Sequence, residues 1–133
     1  MNHIPKIFII SLKNSPRREF ISKRLSDLKL DFEFFDAVYG KDLTEDQLEK
    51  IDFDFYPHKF AAKKTLTLGE IGCAMSHIKL YEYIVENNIN SAIILEDDAI
   101  VSLYFKEIIL DSLNKISPKY EILLCTRQKN KKV

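Results

Sequence analysis

The sequence predicts an α/β fold, a mostly parallel β-sheet with flanking helices. Three observations predict it. Apolar runs of strand length alternate with segments of helical period, in the order strand, helix, strand, helix. The run Ala92-Ile93-Ile94-Leu95 is apolar without interruption, as in a strand covered on both faces. At 133 residues, 46% hydrophobic and 30% charged, the chain has the length and composition of one globular domain.

Residues 6–11 (KIFIIS) form the first strand, being rich in β-branched and aromatic side chains. Ser15-Pro16 then opens a helix, with Ser15 as N-cap and Pro16 at the first helical position. Phe20, Ile21, Leu25 and Leu28 give that helix an apolar stripe. Residues 32–35 read as a second strand, closing at Asp36-Ala37-Val38-Tyr39-Gly40. Thr44-Glu45-Asp46-Gln47 has the spacing of a capping box, so a short helix begins there. Residues 52–66, including Pro57 and His58, follow no period and read as a long surface loop. A long helix covers residues 68–86 and ends at Asn87-Asn88. The strand at 92–95 follows, placed centrally by its apolar run, then a helix over 103–115 and a strand over 121–124. Pro118 lies in the loop before that last strand, and residues 127–133 form a basic tail.

Twenty basic and twenty acidic residues cancel, so no bulk field attracts nucleic acid or an anionic membrane. Any bound anion must be held by a local site. No stretch approaches the roughly 18 apolar residues of a membrane span, and the apolar run near the N-terminus is too short for a signal peptide. Cys73 and Cys125 lack C-x-x-C spacing and suggest neither a disulfide framework nor a zinc site; they read as two reduced thiols of a cytosolic protein.

Glu96-Asp97-Asp98 directly follows the apolar strand. Like charges this close disfavour one another's ionisation, and burial adds a desolvation cost that a divalent cation would remove. If the strand continues through the motif, Glu96 and Asp98 share one side and Asp97 takes the other. Such hard oxygen ligands suit Mg²⁺ or Mn²⁺, which carboxylates share with substrate phosphates. Ligands of open α/β sheets bind at the carboxyl ends of strands, where these residues sit. The plainer alternative is a solvated acidic turn capping the next helix.

Leu68-Gly69-Glu70-Ile71-Gly72-Cys73-Ala74-Met75-Ser76-His77 opens the long helix. At 100° per residue Glu70, Ala74, His77 and Tyr81 fall on one line, within an apolar stripe that includes Ile78, Ile84 and Val85. A glutamate and a histidine on such a stripe break the pattern, as functional sites do. Gly69 and Gly72 weaken a helix start and suggest a close backbone approach. The alternative is a buried His77 bonded to Glu70 or to backbone, with glycines that allow tight helix packing.

These residues resemble bacterial glycosyltransferase family 25, the lipopolysaccharide and lipooligosaccharide galactosyltransferases. Four blocks in order carry the resemblance: Ile9-Ile10-Ser11-Leu12 followed by Arg17-Arg18; Phe35 to Gly40; Leu68 to His77; and Ile94-Leu95-Glu96-Asp97-Asp98. The resemblance implies a GT-A-like (Rossmann-like) fold, a nucleotide-sugar donor, usually UDP-galactose, and transfer to a saccharide acceptor of lipopolysaccharide or lipooligosaccharide. It implies Mn²⁺ (or Mg²⁺) held by Asp98 and Glu96. It also implies donor contacts from Ser11, Leu12, Arg17, Arg18, Asp36, Ala37, Gly40, Gly69, Glu70, Gly72, His77, Glu96 and Asp97. An inverting transfer needs a base for the acceptor hydroxyl, expected beyond residue 133. A cytoplasmic location is implied, at the cytoplasmic face of the bacterial inner membrane, with at most peripheral membrane association.

Family members continue past the point where this chain stops, and residues 125–133 do not look like their continuation. The expectation is a truncated product: residues 1–126 as the nucleotide-sugar-binding half and 127–133 as a basic tail. A catalytically inactive nucleotide-binding remnant, or a partner-dependent module, stays open beside the enzyme. A phospho-receiver domain is rejected because Ser11-Leu12-Lys13, not an acidic pair, follows the first strand. A dinucleotide-binding fold is rejected for want of G-x-G-x-x-G.

Overall fold

A computed structural model describes residues 3–53 and 66–125. Most of the loop expected at 52–66, with Pro57 and His58, and the basic tail lie outside the described residues. The described chain forms two compact units, residues 5–103 and residues 3–4 with 104–125.

In the first unit the chain runs through β1 (Lys6–Ser11), α1 (Arg17–Asp27), β2 (Phe32–Asp36), a 3₁₀ turn (Gly40–Asp42), α2 (Glu45–Glu49), α3 (Leu68–Glu86) and β3 (Ala92–Glu96). The sheet is parallel throughout, in the order β2-β1-β3, with Ser11 opposite Asp36 and Ile10 opposite Glu96. This is the α/β fold that the alternating pattern predicts. The sequence misplaces one strand, however. Among the described strands β1 is central and β3 pairs only with β1. The reason is visible in burial. Ile7 to Ser11 are all buried, whereas Ala92 to Leu95 are only partly covered. An uninterrupted apolar run is shared by edge and central strands in a sheet this small, so it could not rank them.

Phe8 and Ile10 point to the face covered by α3, where they meet Leu80; Phe35, Tyr83, Ile84, Ile89 and Ile94 pack around them. Alternation turns Ile7 and Ile9 to the opposite face, and both are fully buried as well. Both faces of β1 are therefore dry. Tyr83 stands edge-on to Phe8 at 5.9 Å and tilted against Phe35 at 5.9 Å, so one α3 side chain bridges two strands.

Helix ends follow local chemistry. Thr44 with Gln47 and Thr67 with Glu70 each form a complete capping box. α1 and α3 both end in a left-handed residue, Lys29 (φ 55°) and Asn88 (φ 53°). The following amides bond back into the last turn, Leu30 N to Leu25 O and Ile89 N to Ile84 O, both at 3.0 Å. α1 begins one residue later than expected: Pro16, not Ser15, is its N-cap. Phe20 is exposed, so the buried face of α1 is Ile21 and Leu25.

The buried face of α3 is Ile71, Gly72, Ser76 and Leu80, while Ile78, Tyr81 and Val85 are exposed. The expected stripe through Glu70, Ala74, His77 and Tyr81 is thus rotated away from the core. The apolar residues of α3 nearly encircle it, so periodicity does not single out one face, and small Gly72 and Ser76 mark the true contact. A Cβ on Gly72 would stand 2.8 Å from Gly40 N and Val38 O, and one on Gly40 would collide with the Leu68 carbonyl. Ser76 completes the seam, donating to Gly72 O (2.6 Å) and accepting from Val38 N (2.8 Å). The close approach read from Gly72 is therefore to the chain after β2.

The second unit contains α4 (Phe105–Lys115), two residues shorter at its start than expected, with Ile109 buried. Residues 121–124 form no strand. A strand needs a neighbour for its ladder hydrogen bonds, and none of the described strands pairs with this segment.

Gly69 and Gly72 offer a paired test. Gly72→Ala should lower unfolding free energy by about 1–3 kcal/mol, because backbone atoms must move. Gly69→Ala, with nothing nearer than Thr67 Oγ1 at 3.9 Å, should be neutral or stabilise by up to about 1 kcal/mol. Urea unfolding of the two variants checks the difference in sign.

Candidate functional site

The parallel sheet brings the carboxyl ends of three strands to one edge: Ser11 of β1, Asp36 of β2 and Glu96 of β3. The acidic motif does not continue as a strand. Ala99 N bonds to Glu96 O (3.0 Å), so the chain turns through Asp97 and Asp98. The expected alternation of the three carboxylates is replaced by three different environments.

Asp97 is the held carboxylate. Its Oδ2 accepts from Ser11 Oγ at 2.7 Å and from Ser15 Oγ at 2.9 Å, and Arg17 Nη1 lies 3.6 Å from Oδ1. Its side chain is only 13% exposed. Two hydroxyls and a cation offset its desolvation, tying the β3 turn to the loop after β1. Ser15, a helix cap in the sequence pattern, gains in the fold a partner that the pattern does not show, Asp97. Its hydroxyl does accept from Arg17 N, at 3.3 Å.

Arg18 is committed within the fold. Nη2 donates to Ser11 O (2.8 Å) and pairs with Asp36 Oδ1 at 2.6 Å, while Nε donates to Leu12 O (3.1 Å). The guanidinium also lies 4.5 Å over the Phe34 ring. Arg18 and Asp36 thus clamp the ends of β1 and β2, and Ala37 N adds a bond to Ser11 O at 2.9 Å. Arg17, by contrast, is 65% exposed.

Glu96 faces α3. Its Oε1 lies 3.1 Å from His77 Nε2 and 3.5 Å from Cys73 Sγ. A carboxylate partner places the ring proton on Nε2. Cys73 and His77 are one turn apart on the same helix face. His77 bonds neither Glu70 nor backbone here, as its alternative had it; Glu96 is its partner. The signal for this cluster was the Cys-x-x-x-His spacing together with the carboxylate after β3. Loss of hydration pushes the Cys73 thiol above its ordinary range, and the charge and hydrogen bond of Glu96, then the charge of Asp98, add to that.

Asp98 is exposed, with no hydrogen bond or ion pair among the described residues. The remaining expected residues have structural surroundings. Glu70 Oε1 accepts from Thr67 N (3.2 Å), which accounts for an acidic side chain at that point. Gly40 and Gly72 meet across the α3 seam, and Gly69 lies exposed in the first turn. Leu12 is exposed beside Ser11, and Ala37 packs on the core.

A family model described as glycosyltransferase family 25 (LPS biosynthesis protein) matches residues 4–133. The chain belongs to glycosyltransferase family 25. It is 38% identical over 106 residues to a glycosyltransferase 25 family member of Aedes aegypti, covering 77% of this chain and 18% of that protein. It is 36% identical over 104 residues to procollagen galactosyltransferase 1-A of Xenopus laevis, covering 76% and 17%. A Haemophilus influenzae protein whose name places it among glycosyltransferases is 38% identical over 105 residues, covering 77% and 35%. The chain therefore spans between about a sixth and a third of these relatives' lengths. Among the described residues no helix is long and apolar enough to cross a membrane.

Two outcomes are expected of this geometry. Ser11→Ala removes a buried bond to a charged group and should cost about 1.5–3 kcal/mol in chemical unfolding. Alkylation of Cys73 should rise with pH around a midpoint above that of a free thiol. Glu96→Gln should shift the midpoint down, since removing a negative charge favours the thiolate; iodoacetamide kinetics with peptide mapping measure both.

Proposed function

We propose that this chain carries the donor-binding end of a sugar transferase that takes galactose from UDP-galactose to a saccharide acceptor of lipopolysaccharide or lipooligosaccharide. The observation that carries the reading is the meeting of Ser11, Asp36 and the Glu96–Asp98 turn at the carboxyl ends of parallel strands, where open α/β sheets bind ligands. Family membership supports a nucleotide-sugar donor and a saccharide acceptor. The galactosyltransferase name of the frog relative supports galactose. The family description and the bacterial relative support the lipopolysaccharide acceptor.

The donor set suits a hard divalent cation. Asp98 is exposed and unpaired among the described residues, and Glu96 offers a half-exposed carboxylate at the same turn. Asp98 and Glu96 would hold Mn²⁺ or Mg²⁺; Asp97, held by two hydroxyls on Oδ2 and with Arg17 beside Oδ1, would not. When bound, the cation supplies charge neutralisation for a departing nucleoside diphosphate. The protein's own part is to hold the turn still. Asp97 fixes it to Ser11 and Ser15, and the exposed Arg17 guanidinium stands beside it as a second positive group for phosphate. Arg18 and Asp36 keep the nucleoside side of the cleft in place through the backbone, so their role is positioning.

Calorimetry should show Mn²⁺-dependent binding of UDP-galactose, and assay of released UDP with a saccharide acceptor should show turnover. Asp98→Ala should weaken metal-dependent donor binding at least about tenfold. Unchanged binding in that variant overturns the metal assignment, and binding without turnover favours the inactive or partner-dependent form.

A further inference from the structure

Cys73 Sγ, His77 Nε2 and Glu96 Oε1 all lie within 4.8 Å of one another on the surface formed by α3 and the end of β3. We propose that these three atoms form a site for a single thiolate-accepting divalent cation of the zinc class, different in chemistry from the hard-cation site at Asp98, with which it shares the Glu96 carboxylate.

Geometry supplies the first argument. A tetrahedral zinc with bonds of roughly 2.0–2.3 Å holds its ligand atoms about 3.3–3.6 Å apart. Here the nitrogen-to-oxygen edge is 3.1 Å and the sulfur-to-oxygen edge 3.5 Å. Those two edges fit one ion to within a few tenths of an ångström, and the third, from Cys73 Sγ to His77 Nε2, is no longer than 4.8 Å and closes by side-chain rotation. The second argument is placement. The i, i+4 spacing sets Cys73 and His77 one above the other on a rigid helix, and the β3 turn delivers the carboxylate from across the gap. Three protein ligands leave a fourth position open, and the cluster's partial exposure gives it access to water or a ligand.

Ligand type then selects the ion. Thiolate and imidazole favour zinc-like cations, whereas Mg²⁺ and Mn²⁺ prefer carboxylate and water. The thiol proton passes to solvent as the sulfur–metal bond forms, and His77 coordinates through Nε2 with its proton on Nδ1. Glu96 is then a ligand with no proton to lose. C-x-x-C spacing is absent, which is why the sequence pattern suggested no zinc site; the third ligand comes from a different strand.

Cobalt, which reports thiolate ligation by colour, tests the site on the full chain without any nucleotide sugar. The outcome is therefore independent of the donor-site proposal. Titration with Co²⁺ should give a thiolate-to-cobalt charge-transfer band whose growth fits a single site and that zinc bleaches. Cys73→Ser should abolish the band, and His77→Ala should weaken cobalt binding at least about tenfold. Cys125→Ser and Asp98→Asn should keep the band, with circular dichroism verifying the fold of each variant. A missing band overturns the proposal. So does a band lost with Cys125 or Asp98 rather than Cys73, or one indifferent to His77.

Discussion

The short bonds from Ser11 and Ser15 to Asp97 hold the functional edge of this protein together. Ser11 is the last residue of the buried central strand, Ser15 opens the way into α1, and Asp97 begins the turn after β3. A carboxylate with so little exposure requires such partners, because desolvation without them costs several kcal/mol. Once it is satisfied, the other two carboxylates must look elsewhere. Glu96 turns to α3 and Asp98 to solvent. Three adjacent acids acquire three roles because one of them is fixed.

The clamp at β2 extends the same constraint. Arg18 joins the carbonyls of Ser11 and Leu12 to Asp36, so the ends of β1 and β2 cannot separate without breaking several charge-assisted bonds. On the other side of the sheet end, the seam of Gly40, Gly72 and Ser76 brings α3 against the chain after β2. That seam sets the height at which Cys73 and His77 meet Glu96. Gly40 and Gly72 thereby locate the helix that carries Cys73 and His77.

Much of this was readable from sequence where local chemistry decides the outcome. β1, α3 and the capping box at Thr44 lie where strand propensity, helical period and Thr-x-x-Gln place them. Reading failed where tertiary contact decides. The rank of β3 in the sheet depends on pairing partners and not on its own apolar run. The core face of α3 is marked by Gly72 and Ser76, which hydrophobic periodicity ignores. The fates of Glu96, Asp97 and Asp98 depend on one turn, Ala99 N to Glu96 O, that no strand rule anticipates. Glu70 and Gly72, singled out as site residues, stand in a helix cap and a packing seam, which hydrophobic periodicity does not mark.

Under the proposed function, the turn after β3 offers Asp98 and Glu96 to a hard cation and a donor diphosphate, while Asp97 stays bound to the two serines. Anomalous diffraction from crystals grown with Mn²⁺ and UDP tests it most directly. The expected result is a manganese peak against Asp98 and Glu96 that also touches the diphosphate, with Asp97 still on Ser11 and Ser15. A manganese peak on Asp97, or UDP seated away from the carboxyl ends of the strands, would contradict it.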